Sequence, residues 1–401
     1  MKISLYTLGC KLNQAETDEL KKSLIKANFS VVPFDSGEDI AIIRACGVTC
    51  GASQRTRQMI RRVKRKGVYV IATGCLEDKK MPEIDFIGKN NEDVFSKITS
   101  LAGFNSLNKG VEKVVGCKLE RKTRLRLKIQ NGCNFNCAYC IIPFFRGRSE
   151  IIPMEEIIRK VKSASEAGYK EVILTGVNIC QYNDNGMFLS DLLKKVLDKT
   201  KIERIRLGST DPRLITDKLI EVYNNSPLLP HMHLSLQSGS NTVLQKMNRS
   251  YTAEKYFKIV QKFRKINPYF SFTTDIIVGF PGETDDEFRQ TCEFVRKIGF
   301  TKVHVFPYSS RPGTTAAKMK KQIPADTKKT RVNKLIKLSK QVGQEFASKL
   351  IGKQRPVLFE GKREGYWEGY TPEYVRIKIN SKKNLENKII MVKLEKDNII
   401  F

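Results

Sequence analysis

Residues 133–140 of this 401-residue chain read Cys-Asn-Phe-Asn-Cys-Ala-Tyr-Cys, and this C-x3-C-x2-C spacing is the strongest signal in the sequence. It follows residues 124–130, whose alternating apolar and polar side chains predict a strand. Cys133, Cys137 and Cys140 can place three thiolates on one cubane iron–sulfur cluster and leave its fourth iron open for reaction. A zinc knuckle or a chance spacing is the alternative, but a zinc site needs a fourth cysteine or histidine nearby, and none follows.

Outward from this loop, residues 120–340 alternate between strand and helix patterns. Six strands separated by helices predict a partial parallel (βα)6 barrel, whose chemistry lies at the carboxyl ends of its strands. The predicted strands are 124–130, 171–175, 204–208, 231–236, 271–278 and 302–306, and the helices include 154–167, 190–197, 253–266 and 284–298. Thr284 and Glu287 predict a capping box at the start of the last helix.

Two further segments flank this barrel. Residues 1–105 alternate strands at 2–7, 39–44 and 68–73 with helices at 14–27 and 53–66, which predicts a small open α/β sheet. From residue 343 the pattern changes to short strands rich in glycine and tyrosine, which predicts a small all-β barrel. The predicted fold class is α/β, with domains at 1–105, 118–341 and 343–401.

A second group of cysteines lies in the first segment. Cys10, Cys46 and Cys75 each follow a predicted strand, and parallel strands bring their carboxyl ends to one edge. Convergence of three thiols again suggests a cluster with an open iron, and buried structural thiols are the alternative. Cys50, one helical turn after Cys46, is a rival ligand. Disulfides are not expected, because the chain is long and shows no signal peptide. No partner pattern is seen for Cys117, Cys180 and Cys292. Because no spacing resembles a zinc site, the histidines His231, His233 and His304 are expected to pack or to line a polar surface, with metal binding as the alternative.

The charge balance predicts a polyanionic partner. Lys and Arg number 72 against 42 Asp and Glu, a net charge of +30, which favours nucleic acid, with a lysine-rich proteome as the alternative. Basic residues concentrate at 55–66, at 318–340 and beside the cysteine loop at Arg146 and Arg148. Arg363 and Tyr370 combine charge with an aromatic face that suits an unstacked RNA base. No apolar run approaches the ~18 residues of a membrane span, so we expect a cytoplasmic protein without a membrane partner.

Together these features resemble the radical S-adenosylmethionine (SAM) methylthiotransferase family over nearly the whole chain. The stretches that carry the resemblance are 7–14, 127–133, 304–309 and 369–374, and they look most like the MtaB branch. The resemblance implies an amino-terminal domain with three scattered cysteines, a radical SAM barrel and a carboxyl-terminal TRAM barrel that grips RNA. It also implies methylthiolation of carbon 2 of N6-threonylcarbamoyladenosine at tRNA position 37, beside the anticodon.

The resemblance further implies SAM and two 4Fe–4S clusters as cofactors. Cys133, Cys137 and Cys140 would bind the cluster that cleaves SAM to a 5′-deoxyadenosyl radical, and the other three cysteines would bind the cluster that carries or donates sulfur. SAM contacts are expected from strand ends and the cysteine loop, at Tyr139, Gly176, Asn178, Ser209, Gln237 and Ile277. The implied partners are the anticodon loop of tRNA, an electron donor such as flavodoxin or ferredoxin, and a sulfur donor.

The sequence departs from the family pattern at two places. Arg44-Ala45 stand where the family usually has Asn-Thr, which predicts an altered charge environment at Cys46. Residues 208–212 replace a more serine-rich turn. Three other functions stay open: the MiaB branch, which acts on isopentenyladenosine; the RimO branch, which acts on an aspartate of a ribosomal protein; and a non-catalytic RNA-binding iron–sulfur protein.

Overall fold

The computed structural model describes residues 1–103, 123–224 and 227–400. The chain divides into two compact units, of which the first comprises Met1–Arg121 and Ile141–Gly147 and the second comprises Lys122–Cys140 and Arg148–Phe401. Cys117 and the predicted boundaries at 105 and 118 lie outside the described residues. Within the described ranges, no helix is both long enough and apolar enough to cross a bilayer.

A five-stranded parallel sheet forms the first unit, in the order β2-β1-β3-β4-β5. One helix packs on one face and two on the other, so the central strand β3 is buried along its whole length. The strands are β1 Lys2–Thr7, β2 Ser30–Val32, β3 Ile40–Ala45, β4 Tyr69–Gly74 and β5 Phe86–Gly88. The helices are α1 Lys11–Lys26, α2 Cys50–Lys64, α3 Asn91–Leu101 and α4 Ile142–Arg146.

Two parallel sheets, β12-β9-β6 and β13-β14-β15-β16, form the central part of the second unit. Their apolar faces share one core with the helices. The strands are β6 Arg124–Lys128, β7 Gln130–Asn131, β8 Glu150–Ile151, β9 Glu171–Thr175, β10 Asn183–Asp184, β11 Met187–Phe188, β12 Arg204–Leu207, β13 Ser209–Thr210, β14 His231–Leu234, β15 Ser271–Val278 and β16 Lys302–Pro307. The helices are α5 Met154–Glu166, α6 Leu189–Lys199, α7 Asp217–Val222, α8 Asn241–Lys246, α9 Ala253–Ile266, α10 Asp285–Ile298 and α11 Ala325–Ser348.

The second unit ends in a five-stranded antiparallel sheet, in the order β20-β17-β18-β19-β21. Its strands are β17 Gln354–Arg363, β18 Tyr366–Tyr370, β19 Arg376–Ile379, β20 Ile389–Lys393 and β21 Ile399–Ile400. The predicted boundary at 343 lies inside α11, because Phe346 and Ala347 in the last turn of this helix pack into the core of the antiparallel sheet. This helix therefore packs on the parallel sheets along most of its length and on the antiparallel sheet at its end.

Most predicted elements are found, and several have the predicted bounds. β1, β9, β15 and α9 begin and end where the sequence pattern placed them. The capping box of α10 is present, with the Thr284 hydroxyl accepting from Glu287 N–H and the Glu287 carboxylate accepting from Thr284 N–H. The predicted helix 53–66 instead begins at Cys50, because Thr49 caps it by accepting from Ala52 N–H.

A buried carboxylate joins the parallel and antiparallel sheets. Glu171 on β9 is fully buried, with Arg206 Nε at 2.9 Å, Arg204 Nε at 3.1 Å and Arg124 Nη1 at 3.9 Å. Burial alone would raise the pKa of this carboxyl, but the three arginines lower it to about 2. Arg206 and Arg204 donate onward to the carbonyls of Pro372 and Tyr370, so one anion orders the contacts between the sheets.

Replacing this carboxylate should destabilise the second unit. Glu171→Gln keeps the shape but leaves three buried guanidinium groups without their shared anion, a loss of about 3–5 kcal/mol in the free energy of unfolding. The stabilisation should be complete above the ordinary glutamate pKa of 4.5 and should disappear as the pH falls towards about 2. Chemical denaturation under anaerobic conditions measures the loss.

Glu203→Gln is the matched control for that substitution. Glu203 pairs with Lys170 at the surface, where an ion pair contributes about 1 kcal/mol or less. Equal denaturation midpoints for the two variants would contradict the role assigned to Glu171.

Candidate active site

The cysteine loop of the second unit is held by hydrogen bonds from three other segments. Ala138 donates its N–H to the carbonyl of Met247 (2.9 Å) and accepts from Ala316 N–H (2.8 Å). Gln130 Nε2 donates to the carbonyl of Gly132 (2.7 Å), where the backbone turns with a φ of +67°. These hydrogen bonds fix the backbone of the loop.

The three thiols of this loop share one electrostatic environment. Cys133, Cys137 and Cys140 are all partly buried, and none of them is in a disulfide. Burial raises the pKa of the Cys133 thiol, and the neighbouring Cys137 raises it further. Gln181 Nε2 lies 3.5 Å from Cys133 Sγ and donates to it. Ligation to iron would replace the thiol proton and remove the cost of a buried thiolate, so the donor set fits a cluster.

Two arginines place positive charge against Cys137. Arg249 Nη1 lies 3.5 Å and Arg213 Nη2 lies 3.7 Å from its Sγ. Asp211 accepts from both guanidinium groups, at 3.0 and 2.7 Å. Although burial opposes ionisation of Asp211, these hydrogen bonds and charges hold its pKa below the usual value. The pair of arginines is therefore fixed in place and can stabilise an anionic sulfur ligand.

Asn178, one of the predicted SAM contacts, has a buried polar atom that suits a ligand. Its side-chain Oδ1 is buried and, among the described residues, accepts no hydrogen bond. Such atoms are rare in folded proteins, and a ligand N–H would satisfy this one. A Cβ at Gly176 would lie 2.7 Å from the carbonyl and side-chain oxygens of Gln130, so packing against Gln130 requires a glycine here. The contact of Gly176 with SAM stays a prediction.

The other predicted SAM contacts also lie at strand ends. Gln237 follows β14 and has a φ of +70°. Its N–H donates to the carbonyl of Asp275 and its carbonyl accepts from Ile277 N–H, both on β15. A strained non-glycine residue of this kind is often found at binding sites. Tyr139 and Ile277 pack in the same apolar cluster, and Ser209 begins β13. Their contacts with SAM stay predictions.

Cys10, Cys46 and Cys75 converge in the first unit. They follow the adjacent parallel strands β1, β3 and β4, in which Thr7, Arg44 and Thr73 are in register. Burial raises the pKa of the Cys75 thiol, which also lies within the electrostatic reach of both Cys10 and Cys46. Cys50 begins α2 and is exposed, and its rival role stays open.

Glycines allow these three turns to come close together. A Cβ at Gly9, where φ is +95°, would lie 2.9 Å from Cys46 Sγ. A Cβ at Gly47 would lie 2.7 Å from the carbonyl oxygen of Cys75. Any side chain at either position would push the cysteines apart.

Arg146 joins this cysteine group rather than the protein surface. Its Nε donates to Cys75 Sγ at 3.2 Å, and its Nη1 and Nη2 donate to Glu16 Oε1 (3.0 Å) and Asn13 Oδ1 (2.6 Å). Arg44, the departure from the family pattern, pairs with Glu16 Oε2 at 3.1 Å. Two arginines therefore share one carboxylate, and one surplus positive charge lies beside the thiols.

Comparison with known proteins finds two family models that match separate parts of the chain. The family model described as "Radical SAM superfamily" matches residues 127–295, and that described as "Uncharacterized protein family UPF0004" matches residues 2–96. The threonylcarbamoyladenosine tRNA methylthiotransferase MtaB of Aquifex aeolicus (strain VF5) is 36% identical over 92% of this chain and 98% of its own length. The chain belongs to the radical SAM methylthiotransferase family.

Other comparisons agree with this membership. The tRNA-2-methylthio-N(6)-dimethylallyladenosine synthase of Endomicrobium trichonymphae is 30% identical over 100% of the chain and 98% of its own length. The solved radical SAM methyltransferase TsrM from Kitasatospora setae, 12% identical, has a TM-score of 0.57 over 79% of this chain and 77% of its own, which shows the fold alone. Membership implies one 4Fe–4S cluster and SAM, and the thiols of residues 133–140 suit that cluster.

The predicted RNA contacts of this methylthiotransferase differ in how far they are exposed to solvent. Arg148 and Arg363 are exposed, as the prediction requires. The side chain of Arg146 is only 6% exposed and contacts Glu16 and Cys75, and its contact with RNA stays a prediction. Tyr370 stacks on Tyr374 with ring centroids 4.9 Å apart and lies under Arg124, so it has a packing role, and base stacking there stays a prediction.

Sequence reasoning missed the buried charges around both cysteine groups. Glu16 lies in an amphipathic helix, where an acidic residue usually faces water, and Asp211 lies in a turn. One signal was present in the strands, since Arg124, Arg126 and Lys128 alternate with leucines. Charged residues at period two on a parallel strand indicate a polar inner face.

Removing the Arg146 charge should weaken a metal centre on the first cysteine group. Arg146→Gln deletes the cationic donor to Cys75, and loss of such a supporting contact typically lowers metal affinity about 10- to 100-fold. Chelator-induced loss of iron measures this in a background in which Cys133, Cys137 and Cys140 are replaced by alanine. Arg148→Gln, at an exposed position, is the control. Equal rates of iron loss would show that Arg146 does not support the centre.

Proposed function

We propose that this chain converts N6-threonylcarbamoyladenosine at position 37 of tRNA to its 2-methylthio derivative by radical SAM chemistry. The observation that carries the proposal is a second group of three converging thiols, in a unit separate from the radical SAM loop. A radical SAM enzyme that only cleaves SAM has no need of it, whereas a sulfur-transferring enzyme does. Sequence identities of 36% and 34% to two MtaB proteins, over 92% and 98% of this chain, support threonylcarbamoyladenosine as the substrate.

Two cofactors would act in these sites, in addition to SAM. When bound, a 4Fe–4S cluster on Cys133, Cys137 and Cys140 supplies the electron that cleaves SAM, and a second one on the first cysteine group supplies sulfur. The chain's own residues position the reactants. Asn178 Oδ1 would accept from the amino group of SAM, and the apolar cluster of Tyr139 and Ile277 would exclude water from the reacting carbon.

The arginines beside each thiol group would hold its charge in place. Arg249 and Arg213 act on Cys137, and Arg146 acts on Cys75. Guanidinium donors on sulfur stabilise the anionic form of a ligand without entering the reaction. They therefore serve as positioning residues in this proposal.

RNA binding would use the exposed basic surface. The net charge of +30 favours phosphate contacts, to which Arg148 and Arg363 are available, and predicts a steep dependence of tRNA affinity on salt. We assign the antiparallel sheet to a TRAM domain and the two parallel sheets to one partial barrel, with domains near 1–105, 118–341 and 343–401. A cytoplasmic location, a flavodoxin- or ferredoxin-type electron donor and a separate sulfur donor complete the proposal.

Cys137→Ala should abolish the cleavage of SAM. The substitution removes one of three cluster ligands and the sulfur on which both arginines converge. Release of 5′-deoxyadenosine from the anaerobically reconstituted, reduced protein measures the effect, and Cys180→Ala is the control. Normal release from Cys137→Ala would refute the assignment of this loop.

Cys75→Ala should separate the two reactions. We expect 5′-deoxyadenosine to form at close to the normal rate while methylthio product disappears, because only the sulfur-supplying site is damaged. Mass spectrometry of tRNA nucleosides measures the product. Retained methylthiolation would show that Cys50 or another group serves instead. If the unsubstituted chain forms methylthio-dimethylallyladenosine instead, its activity is the one for which the dimethylallyladenosine synthases are named.

A further inference from the structure

The sheet β13-β14-β15-β16 has one face that neither its core nor the cysteine chemistry explains. Residues such as Met232, Phe272 and Val303 point to the helices and form the core. The residues that alternate with them in sequence point the other way and are polar. We call four of them the polar wall: His233, Thr273, Asp275 and His304.

Direct contacts make the polar wall one connected surface. The Thr273 hydroxyl lies 3.1 Å from His233 Nδ1, and His233 Nε2 lies 3.2 Å from Asp275 Oδ2. The rings of His233 and His304 have centroids 5.9 Å apart. Solvent reaches 12% of the His233 side chain and 31% of that of Asp275. The carboxylate of Asp275 is therefore the more accessible of these two groups to a ligand.

The polar wall lies one layer below the strand ends. Asp275 is paired with His304, and two residues later Ile277 is paired with Phe306. Two residues of strand correspond to about 7 Å. Ile277 is on the same face as Asp275 and packs with Tyr139 of the cysteine loop. A substrate held at the strand ends would need a substituent several ångströms long to touch the wall.

The opposite end of this face is closed by protein. His231, two residues before His233, packs on the ring of Tyr374 with centroids 4.7 Å apart. Tyr374 also lies against the guanidinium of Arg206, 4.6 Å from its ring centroid. The polar wall is therefore bounded on one side by the antiparallel sheet and leads on the other side to the strand ends.

We propose that the polar wall recognises the threonylcarbamoyl group of the substrate, with His304 donating to its carboxylate and Asp275 accepting from its hydroxyl or amide hydrogen. His233, whose two ring nitrogens face Thr273 and Asp275, positions the Asp275 carboxylate. This inference rests on the proposed function. An apolar dimethylallyl group would strip water from the same polar atoms without replacing its hydrogen bonds. A site that hydrogen-bonds one substituent rejects an analogue that lacks the partner groups.

A metal ion is the competing occupant. The ligand atoms of His233, Asp275 and His304 lie within 4.8 Å of one another, so they could be drawn together around one ion. With bonds of about 2.1 Å, a tetrahedral ion would hold its ligand atoms roughly 3.4 Å apart. His233 Nε2, however, already faces Asp275 in a hydrogen bond. An ion would have to displace that hydrogen bond, whereas a substrate group can leave it in place.

The test compares the binding of synthetic anticodon stem–loops to the reconstituted full chain. One stem–loop carries threonylcarbamoyladenosine and the second carries its carboxamide analogue, which lacks the negative charge. We expect the unsubstituted chain to bind the acid about 10- to 100-fold more tightly than the amide. His304→Leu should reduce that ratio to about twofold or less, and His304→Gln, which keeps an N–H donor, should restore most of it. Lys302→Leu, exposed on the same strand, should leave the ratio unchanged.

Several results would overturn the inference. Equal affinity of the unsubstituted chain for acid and amide would do so even if His304→Leu failed to fold. A ratio that His304→Leu leaves intact would do so as well. Metal in excess of the cluster iron, bound through nitrogen and oxygen in X-ray absorption spectra and lost in His304→Leu, would show a metal site instead. Product analysis on the same stem–loops tests the proposed function separately, because affinity ratios do not depend on turnover.

Discussion

The parallel order of the strands is the constraint on which both candidate sites depend. Parallel strands carry their carboxyl ends to one edge, so residues separated by whole helices in sequence meet there. Cys10, Cys46 and Cys75 come together only because β1, β3 and β4 are neighbours in register. The cysteines of residues 133–140 need no such order to be near each other, but their loop is fixed by Met247 and Ala316, which the fold supplies.

Buried carboxylates organise the positive charge around both sites in the same way. In each unit one acid holds two arginines, and at least one of these guanidinium groups reaches a thiol; the sets are Glu16 with Arg44, Arg146 and Cys75, and Asp211 with Arg213, Arg249 and Cys137. An isolated arginine would be costly to bury, whereas an acid shared by two arginines lowers that cost and leaves one positive charge in surplus. That surplus is the electrostatic condition for holding anionic sulfur in a partly dry site.

The sequence predicted most strands and helices and placed the cysteines at strand ends, but it did not predict the partners of the buried charged residues. Strands such as β9 and β15 could be bounded because a parallel strand buried on its helix side shows a continuous or alternating apolar run. Arg146 follows the cysteine loop closely, which suggested a place at the mouth of the site. Its actual partners, Glu16 and Cys75, are far away in sequence, and no local pattern encodes that contact. The packing of Tyr370 on Tyr374 was likewise not predictable, since an exposed and a packed tyrosine look alike in a strand pattern.

The polar faces of the parallel sheets suggest how specificity and reactivity can be separated within one fold. The strand ends hold the groups that would meet the cluster and SAM, whereas the layer below them carries His233, Asp275 and His304. The amino ends are closed by Tyr374, so the middle layer is the part of this face that is free to vary with the substrate. If the polar wall binds the substituent, a change in that layer would alter which substituent is accommodated without moving the thiols. This follows because the three thiols lie in the loop after β7, whereas the polar wall lies on β14, β15 and β16.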